Sequence, residues 1–215
     1  MSFRNLNIDK TWTLFLDRDG VINRRLPGDY VKNPEEFELL GGVAEAIKIF
    51  NEYFGRVIVV SNQQGVGKGI MSSGDLEKID LHMHNLLKEA GGRLDKAFYA
   101  PMLHSEKNIM RKPGVGMALA ARKTFPEINF KRCFMAGDTL TDMQFGKNLK
   151  MKTVLINETN RITIKYPFLI DYHFTDLYTF AKQIAETSPK KQISEYVRKK
   201  CKLFKDSDYL NFSKL

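Results

Sequence analysis

Two carboxylates two residues apart and a glycine directly after them are the first residues able to do chemistry: Asp17, Asp19 and Gly20, with Arg18 between the acids. Hard oxygen ligands at this spacing suit Mg²⁺, which takes one or two protein carboxylates and completes its shell with water and phosphate. One carboxylate can instead attack phosphorus and carry it as an aspartyl-phosphate. The other can then give and take the proton. Gly20 frees the backbone for a tight turn, and taken alone the four residues are also an ordinary turn. A second stretch, Ser61-Asn62-Gln63-Gln64-Gly65-Val66-Gly67-Lys68-Gly69, offers a hydroxyl and then amides that can cradle a phosphate. It lacks the long glycine interval of a P-loop. Arg111-Lys112-Pro113 puts two cations ahead of an alanine-rich segment. Pro113 suits a first helical turn, which would set Lys112 at the anion-attracting end of a helix. Finally, Gly137-Asp138-Thr139-Leu140-Thr141-Asp142 brings two more carboxylates, and Asp138 also reads as a helix cap.

These residues need elements to position them. Short apolar, β-branched runs predict strands over 13–17, 56–61, 95–100, 132–138, 152–156 and 171–175. Helical spacing links Val43, Ala46, Ile47 and Phe50, then Leu76, Ile79, Met83, Leu86, Leu87 and Ala90, then Leu177, Phe180, Ala181 and Ile184. The alanine-rich stretch 117–123 is a further helix. Alternating elements with nearly continuous apolar strands predict an α/β fold: a parallel sheet covered by helices on both faces, three layers in all. Such a sheet binds its ligands at the carboxyl ends of the strands, where the strand order reverses. Asp17, Ser61 and Asp138 all fall at predicted strand ends.

Of the 215 residues 43% are hydrophobic and 27% charged, which excludes a disordered chain. No apolar run approaches the ~20 residues of a membrane helix, and the first twelve residues carry no apolar signal core, so the expected location is the cytoplasm. Cys133 and Cys201 lie far apart, against a disulfide scaffold or a cysteine-rich zinc site. The net charge is +9, but residues 188–215 hold eight basic against three acidic residues and so carry +5. The expected organisation is a body over 1–187 and a basic, amphipathic helical tail over 188–215. Ile193, Tyr196, Val197, Cys201 and Phe204 share one face of that tail. Attraction of a polyanion such as nucleic acid is the other reading of its charge. His82 and His84, two apart in a helix, face different ways and do not form a joint metal site.

The order Asp-x-Asp-Gly, Ser, Lys-Pro, Gly-Asp-x-x-x-Asp resembles the haloacid dehalogenase superfamily of phosphohydrolases, over residues 14–156. FLDRDGVIN, SNQQGVGKG, RKPGVGM and AGDTLTDM look like the heptose-bisphosphate and histidinol-phosphate phosphatase family, whose members have a Rossmann-like core and a minimal cap. The resemblance implies that Asp17 is the nucleophile and Asp19 the general acid/base, and that Asp17, the Asp19 backbone and Asp138 hold Mg²⁺. It implies that Ser61 and Lys112 stabilise the transferring phosphoryl group, a role that fits the charge spreading over three oxygens in such a transfer. Asn62, Gln63, Gln64 and Arg111 would line the substrate site, and Gly28, Asp29 and Tyr30 would form a substrate loop. Thr139 stands where the family often has a lysine. Members often hold zinc with three cysteines and a histidine before the Lys-Pro motif. That loop here has His104 and no cysteine, so no zinc is expected. The implied substrate is a small sugar phosphate, most like D-glycero-D-manno-heptose 1,7-bisphosphate, with histidinol phosphate and a 3′-phosphorylated polynucleotide as alternatives. The expected state is a monomer or weak homo-oligomer.

Overall fold

The computed structural model describes residues 3, 6–159 and 161–187. In it β1 (Thr13–Leu16) runs through the middle of a six-stranded sheet and is buried along its whole length. A strand covered on both faces has no polar side to alternate with, hence the unbroken Thr-Leu-Phe-Leu. β2 (Arg56–Asn62), β3 (Lys96–Ala100), β4 (Cys133–Gly137), β5 (Lys152–Ile156) and β6 (Tyr172–Phe174) complete the sheet, in the order β3-β2-β1-β4-β5-β6. Every neighbouring pair is parallel. The chain winds from β1 to one edge, then crosses back to β4 and winds to the other. The reversal leaves a crevice at the carboxyl ends of β1 and β4.

Alternate side chains of each strand enter different cores. Leu14 and Leu16 join Val57, Val59, Phe134 and Ala136 beneath α1 (Val43–Tyr53), with α3 (Ser73–Glu89) and α7 (Leu177–Thr187) in the same core. Phe15 points the other way, with Ile58, Val60 and Met135, toward α4 (Gly116–Thr124) and α5 (Leu140–Asn148). Short helices α2 (Gln64–Gly67) and α6 (Arg161–Lys165) follow β2 and β5. Segments 17–42 and 101–115 carry no element longer than a three-residue 3-10 turn, so the cap is minimal. Cys133 is buried in the core, where desolvation pushes its thiol up to about 12. No helix among the described residues is long and apolar enough to cross a membrane.

Two local readings need correction. α4 begins at Gly116, not at Pro113, so Lys112 does not sit at a helix N-terminus. The loop first folds on itself, with the Gly114 N–H donating to the Arg111 carbonyl (2.7 Å) and the Gly116 N–H to the Ile109 carbonyl (2.8 Å). Asp138 does not cap α5; that place falls to Thr139. The tail over 188–215 lies outside the described residues.

Phe180 of α7 has no exposed surface and its ring lies 5.1 Å from Phe50, 5.4 Å from Phe174 and 5.9 Å from Phe134 between centroids. It pins α7 to both α1 and the sheet. Phe180→Ala should therefore cost about 3–5 kcal/mol of stability by leaving a cavity. Urea unfolding monitored by circular dichroism checks this; a loss below about 1 kcal/mol would mean that α7 is not part of the cooperative core.

Candidate active site

Asp17 is the first residue past β1, and its N–H still donates to the Ala136 carbonyl of β4 (2.9 Å). That bond fixes the carboxylate at the reversal of strand order. Its Oδ1 accepts the Arg18 N–H (2.8 Å) and pairs with Lys112 Nζ (2.8 Å). Oδ2 lies 3.8 Å from the Arg25 guanidinium. Lys112 arrives from the loop before α4 and is buried. Its other contacts are the Val60 carbonyl at the end of β2 (2.7 Å) and Asp142 Oδ1 (2.6 Å). Burial works to lower its pKa, but the Asp142 and Asp17 carboxylates outweigh burial and hold the ammonium above its ordinary range. For Asp17 itself burial wins over Lys112, and the carboxyl lies above the usual value.

Asp142 is a residue the sequence offered only as the end of a motif. It is fully buried, three residues into the turn that opens α5, where its Oδ2 accepts the Thr139 N–H (3.0 Å). The Thr139 hydroxyl also donates to that oxygen. Gly137 makes room: a Cβ there would stand 2.3 Å from the Asp142 Cβ.

Asp19 turns its carboxylate away from Asp17. Oδ1 accepts from Arg18 Nη2 (2.9 Å) and Asn23 Nδ2 (3.0 Å), and Oδ2 from Gln63 Nε2 (2.7 Å). Burial raises this carboxyl, but the Arg18 guanidinium, then the Asn23 and Gln63 amides, hold it below the usual carboxylate range. Arg18 is itself fully buried, a positioning cation that its place between two acids did not reveal. The Asp19 backbone carbonyl accepts from Arg25 Nη2 (2.8 Å), which also donates to Asp138 Oδ1 (3.0 Å). Gly20 takes a φ of +90°, and a Cβ there would meet Asp138 Oδ2 at 2.3 Å. Burial first, then the Asp17 carboxylate, pushes the Asp138 carboxyl up to about 7 against the pull of Arg25.

The other expected site residues divide. Asp17, Asp19, Ser61, Asn62, Arg111 and Lys112 line one hole of about 220 Å³, together with Thr139 and Asp142. Gly28, Asp29 and Tyr30 line an adjoining cleft of about 370 Å³ with Asn62 and Lys68. Asn62 also clamps the Lys112 backbone, accepting its N–H (2.9 Å) and donating to its carbonyl (3.2 Å). Gln63 is not a lining residue. It lies buried beneath Asp19 and donates to Ser61 Oγ (3.1 Å) as well. Gln64 is outside both spaces, its Oε1 accepting the His104 N–H (3.2 Å). His84 reaches toward Asp80 and His82 packs edge-on to Phe37, so the two do face apart.

A hard cation fits this site on its oxygens alone. Carboxylate oxygens of Asp17, Asp138 and Asp142 lie within 4.8 Å of one another, the one such metal-sized group among the described residues. Three oxygens, from Asp17, the Asp19 backbone and Asp138, already converge on one cationic nitrogen, Arg25 Nη2. The Asp19 side chain is not part of either set.

The same sheet recurs in the solved D,D-heptose 1,7-bisphosphate phosphatase from B. bronchiseptica, complexed with magnesium and phosphate: TM-score 0.74, 27% identity, 82% of this chain and 99% of that one. Fold and site together define a phosphatase of the haloacid dehalogenase superfamily. Residues 14–187 match the model of the polynucleotide kinase 3 phosphatase family, and the chain belongs to that family. Among its relatives are D-glycero-alpha-D-manno-heptose-1,7-bisphosphate 7-phosphatases. That of Mycobacterium bovis is 39% identical over 138 residues, 64% of this chain and 73% of its own. That of Campylobacter jejuni is 35% identical over 153 residues, 71% of this chain and 86% of its own.

Removing one member of a buried ionic cluster leaves an unpaired charge, at a cost of about 3–5 kcal/mol. Lys112→Met should show a loss of that size, and adding Asp142→Asn to it should recover part. Denaturant unfolding of both variants and the double mutant checks this; simple additivity would mean that the two groups do not share one cluster.

A pH dependence follows from Asp138. Its folded pKa of about 7 lies above the ordinary 3.8, so the folded chain holds the proton more tightly. The associated stability is present below about pH 4 and is lost as pH rises toward 7. Asp138→Asn mimics the protonated form. In the presence of chelator its stability relative to wild type should grow between pH 4 and 7 and level off above. A difference that does not change over that range would contradict the shift.

Proposed function

We propose that the chain removes the 7-phosphate of a heptose 1,7-bisphosphate through an aspartyl-phosphate on Asp17. The carrying observation is the state of Asp17 at the switch point, with Oδ1 held by two donors and Oδ2 facing the converging oxygens of the site. A carboxylate fixed at one oxygen presents the other without rotational search. In the first step an Asp17 oxygen bonds to phosphorus, the phosphorus–sugar oxygen bond breaks, and Asp19 protonates the departing alkoxide. In the second, water attacks phosphorus, Asp19 takes its proton, and the acyl phosphate opens to free Asp17 and orthophosphate. The Arg18 pairing favours the ionised form of Asp19, which is the form that the second step consumes; for the first step Asp19 must take up a proton from solvent.

Asp17, the Asp19 carbonyl and Asp138 would hold Mg²⁺. Bound there, it would neutralise the charge developing on the phosphoryl oxygens. Lys112 acts on that charge through its field rather than by direct donation, because protein oxygens surround its ammonium. Ser61 and Arg111 share the hole and supply the hydrogen bonds and positive charge nearest the phosphoryl group. Lys68, Asn62 and Tyr30 in the adjoining cleft suit the sugar and its remaining phosphate.

The family's description favours a second reading, a polynucleotide 3′-phosphatase. A nucleic-acid strand calls for aromatic platforms along a basic groove. Trp12 and Phe134, by contrast, are buried against each other in the core, which supports the smaller substrate. Comparing kcat/KM for the sugar bisphosphate and for a 3′-phosphorylated oligonucleotide separates the two.

Asp17→Asn should keep the melting temperature within a few degrees and lose kcat by several orders of magnitude. EDTA should abolish wild-type turnover and Mg²⁺ restore it. Activity within about tenfold of wild type in Asp17→Asn would remove Asp17 from the nucleophile's role.

A further inference from the structure

Each acid of the site is answered by a cation, and the cations differ in how firmly they are held. Lys112, between Asp17 and Asp142, has a 2% exposed side chain, and Arg18, on Asp19, has none exposed. Arg25 is 45% exposed and comes from the segment 17–42, which has no regular element longer than a 3-10 turn. Yet its Nη2 makes the contacts that matter most: the Asp19 carbonyl at 2.8 Å, Asp138 Oδ1 at 3.0 Å and Asp17 Oδ2 at 3.8 Å. These are the oxygens assigned above to Mg²⁺.

A guanidinium and a divalent cation cannot share those oxygens, because both need the same lone pairs and they repel each other. Arg25 has somewhere else to go. It lines the catalytic hole and the adjoining cleft, and also a third space of about 430 Å³ reached past Arg24, Asn157 and Asp176. Lys112 and Arg18, by contrast, have almost fully buried side chains.

We propose that Arg25 is the stand-in cation of the metal site. It neutralises Asp17, the Asp19 carbonyl and Asp138 when no metal is bound, and Mg²⁺ displaces it into the open cleft. The inference rests on the metal-dependent reading above. Its consequence is a competition: every metal-binding event must first break the Arg25 contacts, so Arg25 weakens the apparent metal affinity and stabilises the metal-free chain.

Isothermal titration of the full chain with Mg²⁺ alone, with melting curves in EDTA and in saturating Mg²⁺, tests this. Arg25→Gln should bind Mg²⁺ at least about tenfold more tightly than wild type. It should melt lower than wild type in EDTA and close to it in Mg²⁺. Arg25→Lys keeps the charge on a shorter, single-point donor, should fall between the two, and serves as the readout if Arg25→Gln does not fold in EDTA. Unchanged or weaker Mg²⁺ binding in these variants, or equal destabilisation with and without Mg²⁺, would overturn the proposal and leave the metal-dependent reading standing. A wild-type chain that takes up no Mg²⁺ would overturn both.

Discussion

The Lys112 ammonium, arriving from a loop, ties three separate parts of the chain to one point. It contacts the end of β2 through the Val60 carbonyl, the end of β1 through Asp17, and the first turn of α5 through Asp142. Taking such ions out of water costs several kcal/mol each after relaxation. The arrangement is tolerable because the ammonium donates to the Val60 carbonyl and pairs as an ion with two carboxylates. Asn62 adds a backbone clamp on the same residue. A buried ion cluster is weak evidence for stability, since apolar replacements of equal volume are often no worse. The cluster makes better sense as orientation: it holds one oxygen of Asp17 and leaves the other toward the site.

The two acids of the Asp-x-Asp pair end up with opposite surroundings, and this follows from the turn between them. Asp17 continues the β1–β4 ladder, whereas Gly20 at φ +90° lets the chain reverse so that Asp19 meets Arg18, Asn23 and Gln63. One carboxyl is raised and the other lowered. Environments that push two titratable neighbours apart are a means of giving them different roles. The nucleophile and proton carrier proposed above are thus distinguished by what each touches, although the residues are chemically identical.

Much of this was legible in the sequence because burial on both faces writes itself plainly. Segments such as 56–61 and 152–156 are apolar almost throughout, and the strands match them within a residue or two. The strand-end placing of Asp17, Ser61 and Asp138 also carried over, with Asp17 and Asp138 just past β1 and β4 and Ser61 still inside β2. Pro113 misled because a proline suited to a first helical turn suits a tight loop as well; Gly114 and Gly116, closing on Arg111 and Ile109, decided for the loop. Asp142 was hidden because an acid three residues into a helix is an ordinary capping partner. Only the arrival of Lys112 from a loop thirty residues earlier gives it a second use. The family resemblance put Gln63 in the lining, and nothing in a linear sequence tells which side of a strand end is covered. Arg18 and Arg25 were hidden for a related reason. A cation beside acids looks like surface charge until burial or convergence is known.

Counting the charges supports the proposed dication over another lysine. Asp17, Asp19, Asp138 and Asp142 meet two firmly buried cations, Arg18 and Lys112. With all four acids ionised, two negative charges remain at the crevice. The exposed Arg25 answers only one of them. A divalent cation balances both at once and favours the ionised form of every acid around it. The phosphoryl group then brings fresh negative charge to a site that is no longer negative, with Arg111 and Lys68 arranged outside the carboxylates. Without that neutralisation the same four acids would repel the substrate. The cluster that positions the proposed nucleophile would therefore also make phosphate binding conditional on the cation.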